Sequence, residues 1–163
     1  WRAAHGPDPA LTGYVRGLLH GLTYHALRVK NGLDFEAAVT QTTGALGCLL
    51  GVATGAFGAH ALEQIATPER LGTWEKAVDY LFVHSLGLLL VGILDRFEPR
   101  NCHSLAGGLM LIGIVLFSGS LFVLVLSGVR WLGMITPLGG VSFVAAWLVL
   151  AVCYLVAYGG KAD

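Results

Sequence analysis

Residues 43–65 read TGALGCLLGVATGAFGAHALEQI, and this stretch decides the class of the fold. From Ala37 to Leu62 the chain carries no Asp, Glu, Lys or Arg, and Gly44, Gly47, Gly51, Gly55 and Gly58 recur along one helical face. Lipid tails are as apolar as Leu, so helices in a bilayer associate by letting their backbones come close. The spacing Gly47, Gly51, Gly55 is a doubled small-xxx-small pattern. The segment is therefore predicted to be a membrane-spanning helix built for close contact.

The rest of the chain agrees. Of 163 residues, 55% are hydrophobic and only 12% charged, with a mean hydropathy of +0.71, outside the balance of soluble domains. A helix needs about 20 mainly apolar residues to cross the hydrocarbon core. Four stretches meet that need, at about 43–65, 77–94, 104–127 and 137–158. The fold class is all-α: an integral membrane four-helix up-down bundle occupying residues 43–160, because short loops between consecutive spans force neighbours antiparallel. Punctuation falls between the spans. Thr67, Pro68 and Glu69 resemble an N-cap, a first-turn proline and a first-turn acid, and predict a short interfacial helix through Thr73. Pro99 breaks the second connection, and Thr136 with Pro137 starts the fourth span. Trp74 and Tyr80, then Trp131 and Tyr158, are expected as interfacial anchors.

Basic residues orient the bundle. Arg2, Arg16, Arg28, Lys30, Arg96, Arg100 and Lys161 lie on one side, against Arg70, Lys76 and Arg130 on the other. By the positive-inside rule both termini face the cytoplasm of a bacterium or the matrix of a mitochondrion. Cys48, Cys102 and Cys153 are odd in number and widely spaced, so no disulfide framework or CxxC site is expected. Cys48 and Cys153 read as small apolar packers.

Residues 1–42 form an arm that starts at Trp1 rather than Met. Leu11, Tyr14, Val15, Leu18, Leu22 and Val29 recur at helical spacing, with Arg16, His20, Arg28 and Lys30 adding positive charge. This is a basic amphipathic pattern. It suits a helix on anionic lipid, an arm docked on a neighbouring subunit, or what remains of a mitochondrial targeting region. A loose tail is the plain alternative.

His60 and His84 are the sharpest candidates for chemistry, because an ionisable side chain inside a span is costly and raises a functional hypothesis by default. If the first two spans pair antiparallel, the two imidazoles are expected at similar depth. They would then suit haem ligation, quinone binding or proton relay, with neutral, hydrogen-bonded packing as the plain alternative. Ser118 and Gly119, in FSGSLF, are expected with the glycine ladder as helix-packing positions. No GxSxG elbow, phosphate loop or zinc spacing occurs, and a net charge of +0 gives no basic field for nucleic acid. No metal or cofactor is called for.

The segments GALGCLLGVATGAFGAHAL, AVDYLFVHSLGLLLVGIL, LFSGSLFVLVLSG and LGMITPLGGVSFVAAWLVLA, in that order, closely resemble the four-span family known as domain of unknown function 423, which includes transmembrane protein 256-like proteins of eukaryotes. The resemblance runs from about Thr43 to Tyr158. It implies a small helical membrane protein of bacterial inner membranes or of mitochondria, and implies no known reaction. Gly55, Phe57, Gly58, His60, Trp74, Tyr80, His84, Ser118, Gly119, Pro137 and Gly139 fall on motif positions. The family pattern carries a second His three positions before the one matching His84. This chain has Leu81 there.

These features together lead to one expectation and two alternatives. The expectation is a non-catalytic accessory or scaffold subunit of a mitochondrial inner-membrane assembly such as a respiratory complex, in contact with lipids and other membrane subunits. The first alternative is a haem- or quinone-binding electron-transfer protein using His60 and His84, and the second a small proton or solute transporter.

Overall fold

A computed structural model describes residues 33–159. The chain divides into two compact units, Trp1–Glu36 and Ala37–Asp163, and the second holds the bundle. The amphipathic pattern of the arm lies outside the described residues. Helix α1 spans Leu33–Phe57 and runs into a π-helical turn, Gly58–Leu62. Helix α2 spans Pro68–Phe97. Helix α3 covers Asn101–Ser127, with a π-helical segment at Ile114–Gly119 inside it. A 3₁₀ turn at Arg130–Met134 then leads into α4, Thr136–Gly159. All four are long and apolar enough to cross a membrane.

The predicted spans are present, with longer ends. Helix α1 starts ten residues before Thr43. The separate interfacial helix expected at Pro68–Thr73 does not form: Pro68 opens α2, and the helix continues unbroken to Phe97. Nothing in residues 68–97 is helix-breaking once proline has taken the first turn, where a missing N–H costs nothing. Helix α3 ends at Gly128, whose φ of 75° is left-handed and whose N–H reaches the Leu124 carbonyl. That conformation is cheap only for glycine.

The glycine ladder packs inside the bundle. Gly44 faces Ser85 and Leu89, Gly47 faces Ser85, Gly51 faces Phe82, Gly55 faces Val78 and Gly58 faces Trp74. The register is antiparallel, and the close neighbour of the ladder is α2 of the same chain. Between α3 and α4 the same device recurs, with Gly139, a family-motif position, against the Phe117 backbone and Gly113, which the sequence did not single out, against Phe143. Gly119 does not receive a helix. A Cβ there would meet only the Ile114 carbonyl of its own helix, at 3.8 Å.

Polarity is inverted relative to a water-soluble bundle. Leu49, Leu50, Val52, Val141, Val144, Leu148 and Leu155 face outward, while His84, Ser85, Asp95, His103, Ser118 and Ser120 are buried. With lipid as solvent, burying Leu gains little, and cohesion comes from close packing and interhelical hydrogen bonds. One dry layer joins Leu88 and Val91 of α2, Ala106 and Met110 of α3, and Ala146 and Leu150 of α4. A second joins Leu62, Trp74 and Val125. Trp74 therefore is not an interfacial anchor. It is 4% exposed, stands between Phe57 and Phe122, and donates its Nε1–H to the Thr54 carbonyl at 2.8 Å. Trp131 is exposed in the connecting turn, as an interfacial residue would be.

Cys102 and Cys153 are joined in a disulfide, with Cα atoms 6.3 Å apart. This overturns the expectation of no disulfide and of Cys153 as a simple packer. Cys48 is the free thiol and is partly buried. The odd count hid the pair. The readable signal was position: Cys102 opens one span and Cys153 closes the next, so antiparallel pairing brings both to the same side of the membrane.

Candidate functional site

His84 and His60 do not form one site. The ladder's register puts His60 level with Gly72 and Thr73, and His84 level with Cys48. They are separated by about three turns of helix, roughly 17 Å at ~1.5 Å per residue. A single haem iron, with metal–nitrogen bonds near 2 Å, cannot bridge them. The expectation of similar depth counted His60 and His84 from the predicted span ends, whereas the close glycine contacts fix a different register. His60 is exposed, in the π-helical turn, and its carbonyl accepts a hydrogen bond from Gln64 Nε2 at 2.9 Å.

His84 is 5% exposed and looks toward α4 instead. Its ring stacks on Phe143, with centroids 3.4 Å apart and planes 15° off parallel. Tyr80 lies one turn before it on α2 and stacks on Phe117 with centroids at 4.3 Å. Trp147 completes the wall 6.2 Å from His84. These five residues, with Gly140, line a lateral groove of about 560 Å³. The wall depends on local backbone features. Phe117 belongs to the π-helical segment of α3, a wide turn of the kind that often marks functional positions. Gly139 lets α4 lie directly on the Phe117 backbone.

The hydrogen bonding of His84 sets what the groove offers. Nδ1 is 2.8 Å from the Tyr80 carbonyl. A carbonyl only accepts, so Nδ1 carries a proton. In the neutral ring Nε2 is then an acceptor; in the imidazolium it is a donor. The site is an aromatic slot with one hydrogen-bonding nitrogen, the usual composition of a small-molecule site.

Two polar clusters lie elsewhere. Glu63 and Asp79 share with Glu75 and Trp74 a pocket of about 270 Å³. All three carboxylates are exposed. At the opposite end of the bundle, His103 is fully buried. Its Nε2 hydrogen-bonds the Tyr154 hydroxyl at 3.0 Å, and its Nδ1 stands 3.4 Å from Asp95 Oδ1. Asp95 also accepts from the Arg100 backbone N–H, and Arg100 pairs with Glu98. Asp95, His103 and Tyr154 were not anticipated. They sit near predicted span ends, where polar residues usually mean solvent, and only the burial of Asp95 and His103, with the half-buried Tyr154 bonded to His103, distinguishes them. Ser118 is buried without a hydrogen-bond partner in the structure, whereas Ser120 bonds the Phe117 carbonyl and Thr136 Oγ1. Among the described residues no three His, Cys, Asp or Glu side chains converge as a metal set.

Comparison with known proteins places this architecture. No solved structure matches the chain. A UPF0382 membrane protein of Staphylococcus epidermidis is 48% identical over 112 residues, covering 69% of this chain and 91% of its own length. One from Staphylococcus haemolyticus is 46% identical over 109 residues, covering 67% and 88%. The UPF0382 membrane protein YwdK of Bacillus subtilis is 46% identical over 110 residues, covering 67% and 89%. These relatives are bacterial membrane proteins. The family described as Protein of unknown function (DUF423) matches residues 54–140, which hold α2, α3, the end of α1 and the start of α4, and the chain belongs to that family.

Proposed function

We propose that the protein is a non-catalytic membrane protein whose groove beside His84 binds a flat apolar ring with a hydrogen-bonding edge, the chemistry of an isoprenoid quinol. The observation that supports this reading is the aromatic slot itself. Tyr80, Phe117, Phe143 and Trp147 offer faces for a ring, and the Tyr80 carbonyl fixes His84 so that Nε2 is its remaining polar atom. Neutral His84 accepts from a quinol hydroxyl; only the imidazolium donates to a quinone carbonyl. The reduced ring is therefore preferred wherever His84 is neutral. Of the haem-or-quinone alternative, this keeps the quinone and His84 and drops the paired histidines.

The test is quenching of tryptophan fluorescence by a short-chain quinol in detergent, with Trp147→Phe identifying the reporter. Saturable quenching is expected. One hydrogen bond is worth about 1 kcal/mol, so His84→Leu weakens binding by about five- to tenfold, while His60→Leu leaves it unchanged. Absence of saturable quenching, or equal binding by His84→Leu, refutes the reading.

A second reading, an accessory or scaffold subunit of a larger membrane assembly, draws on the outward face of α1, where Ala38, Ala45, Ala53 and Ala56 are exposed. The glycine ladder no longer argues for an outside partner, because α2 already occupies it. A partner would meet the alanine face. Migration in a large complex on native gels in mild detergent is expected, and migration solely as a small monomer or dimer counts against it. Bacterial relatives favour a bacterial inner membrane. A mitochondrial inner membrane, with both termini in the matrix, is the proposal for a eukaryotic source.

A further inference from the structure

Cys102 and Cys153 stand apart from the His84 groove and from the glycine packing, and their position calls for a separate explanation. The bond between them joins the second residue of α3 to the last turns of α4. These two helices are already held along their length by Gly113 on Phe143 and Gly139 on Phe117, so the fold has close packing without the bond. Both cysteines are partly exposed, at the end where α3 meets the loop at Pro99. Each is a direct sequence neighbour of one member of a polar pair, the buried His103 and the half-buried Tyr154, which hydrogen-bond each other. The basic residues put this end of the bundle on the cytoplasmic or matrix side, where thiols are kept reduced and persistent disulfides are rare.

We infer that Cys102 and Cys153 form a reversible thiol–disulfide site that exchanges with small disulfides and thiols of the glutathione class. Cys102 is the attacking sulfur. It lies in the first turn of α3, where the unpaired N–H groups of the helix start stabilise negative charge on a thiolate. In the oxidising direction the Cys102 thiolate attacks one sulfur of the small disulfide. A mixed disulfide forms and one small thiolate leaves. The Cys153 thiolate then attacks the Cys102 sulfur, closing the intramolecular bond and releasing the second small thiolate. The protein loses two electrons, the small disulfide gains them, and the two cysteine protons leave on the two small thiols. Reduction runs the same steps backward.

Maleimide–polyethylene glycol labelling of the intact protein tests this. The protein is first equilibrated in buffers of varied reduced-to-oxidised glutathione ratio, then denatured and labelled. Cys48 labels throughout, so one labelled site per chain is expected in oxidising buffer and three in reducing buffer. The conversion is reversible, and Cys48→Ser lowers each count by one. Cys102→Ser abolishes the conversion and leaves Cys153 able to form only a mixed disulfide, seen as a glutathione mass increment. Three labelled sites at every ratio would mean the bond does not form. One labelled site in the most reducing buffer would mean a fixed structural staple. Either result overturns the inference, as does persistence of conversion in Cys102→Ser.

Discussion

Substituting Gly44 with alanine probes how close α1 and α2 must come. A Cβ built at Gly44 lies 2.7 Å from both the Leu89 nitrogen and the Ser85 carbonyl oxygen, and 2.9 Å from Leu89 Cγ. Ordinary contacts begin near 3.4 Å. Two of the three obstructing atoms are backbone, so no rotamer change relieves them. The helices must part by about 0.7 Å, loosening the neighbouring contacts at Gly47 and Gly51. Overpacking of this kind costs about 1–3 kcal/mol. Against it runs the higher helix propensity of alanine, worth up to ~1 kcal/mol in water. Gly108→Ala isolates that opposing effect, because a Cβ at Gly108 meets nothing within 4 Å. The two variants are compared by reversible unfolding in mixed dodecyl-sulfate micelles, followed by circular dichroism. Gly44→Ala is expected to be less stable than Gly108→Ala by about 1–3 kcal/mol. A difference below about 0.5 kcal/mol, the scatter of neutral surface changes, would mean that α1 does not lie on α2 at this distance.

Three further outcomes follow from the geometry. Trp74→Phe keeps the ring contacts with Phe57 and Phe122 but loses the bond to the Thr54 carbonyl; stability in the same assay should fall by about 1 kcal/mol, and an unchanged midpoint would show that bond to be idle. Gly139→Ala places a methyl group 2.5 Å from the Phe117 nitrogen, so it should displace the groove wall and weaken quinol quenching along with stability; undiminished quenching would separate the groove from this contact. Green fluorescent protein fused after residue 163 should fluoresce in a bacterial host if the basic residues set orientation, whereas activity of an alkaline phosphatase fused there would reverse it.

Spans and turns were legible because they depend on local composition. Runs free of charge mark α1 to α4, and proline at 68, 99 and 137 marks where helices begin or chain connections break. The ladder's function was legible too, since glycines at 47, 51 and 55 have one obvious use in lipid. What escaped was contact between segments distant in the chain. His84 finds Phe143, and Cys102 finds Cys153, across separations of more than fifty residues. Neither Phe143 nor Trp147 differs in sequence from an ordinary lipid-facing aromatic. Trp74 was misread for a related reason: aromatic residues near span ends usually sit at the interface, and only Gly58, by leaving room for the indole, draws this one inward.

The groove opens sideways. Along the bundle axis, Leu88, Val91, Met110 and Ala146 are between 0% and 2% exposed and form a seal between His84 and the Asp95–His103–Tyr154 end. Laterally, Val141 and Val144 border the slot at 67% and 69% exposure. On the quinol reading, a ligand of this slot therefore arrives by two-dimensional diffusion through the bilayer, not from water. Occupancy then depends on the ligand's mole fraction in the membrane, so a hydrophobic tail that raises partitioning raises apparent affinity without touching His84. The same seal leaves a solute no axial route through the bundle in this structure.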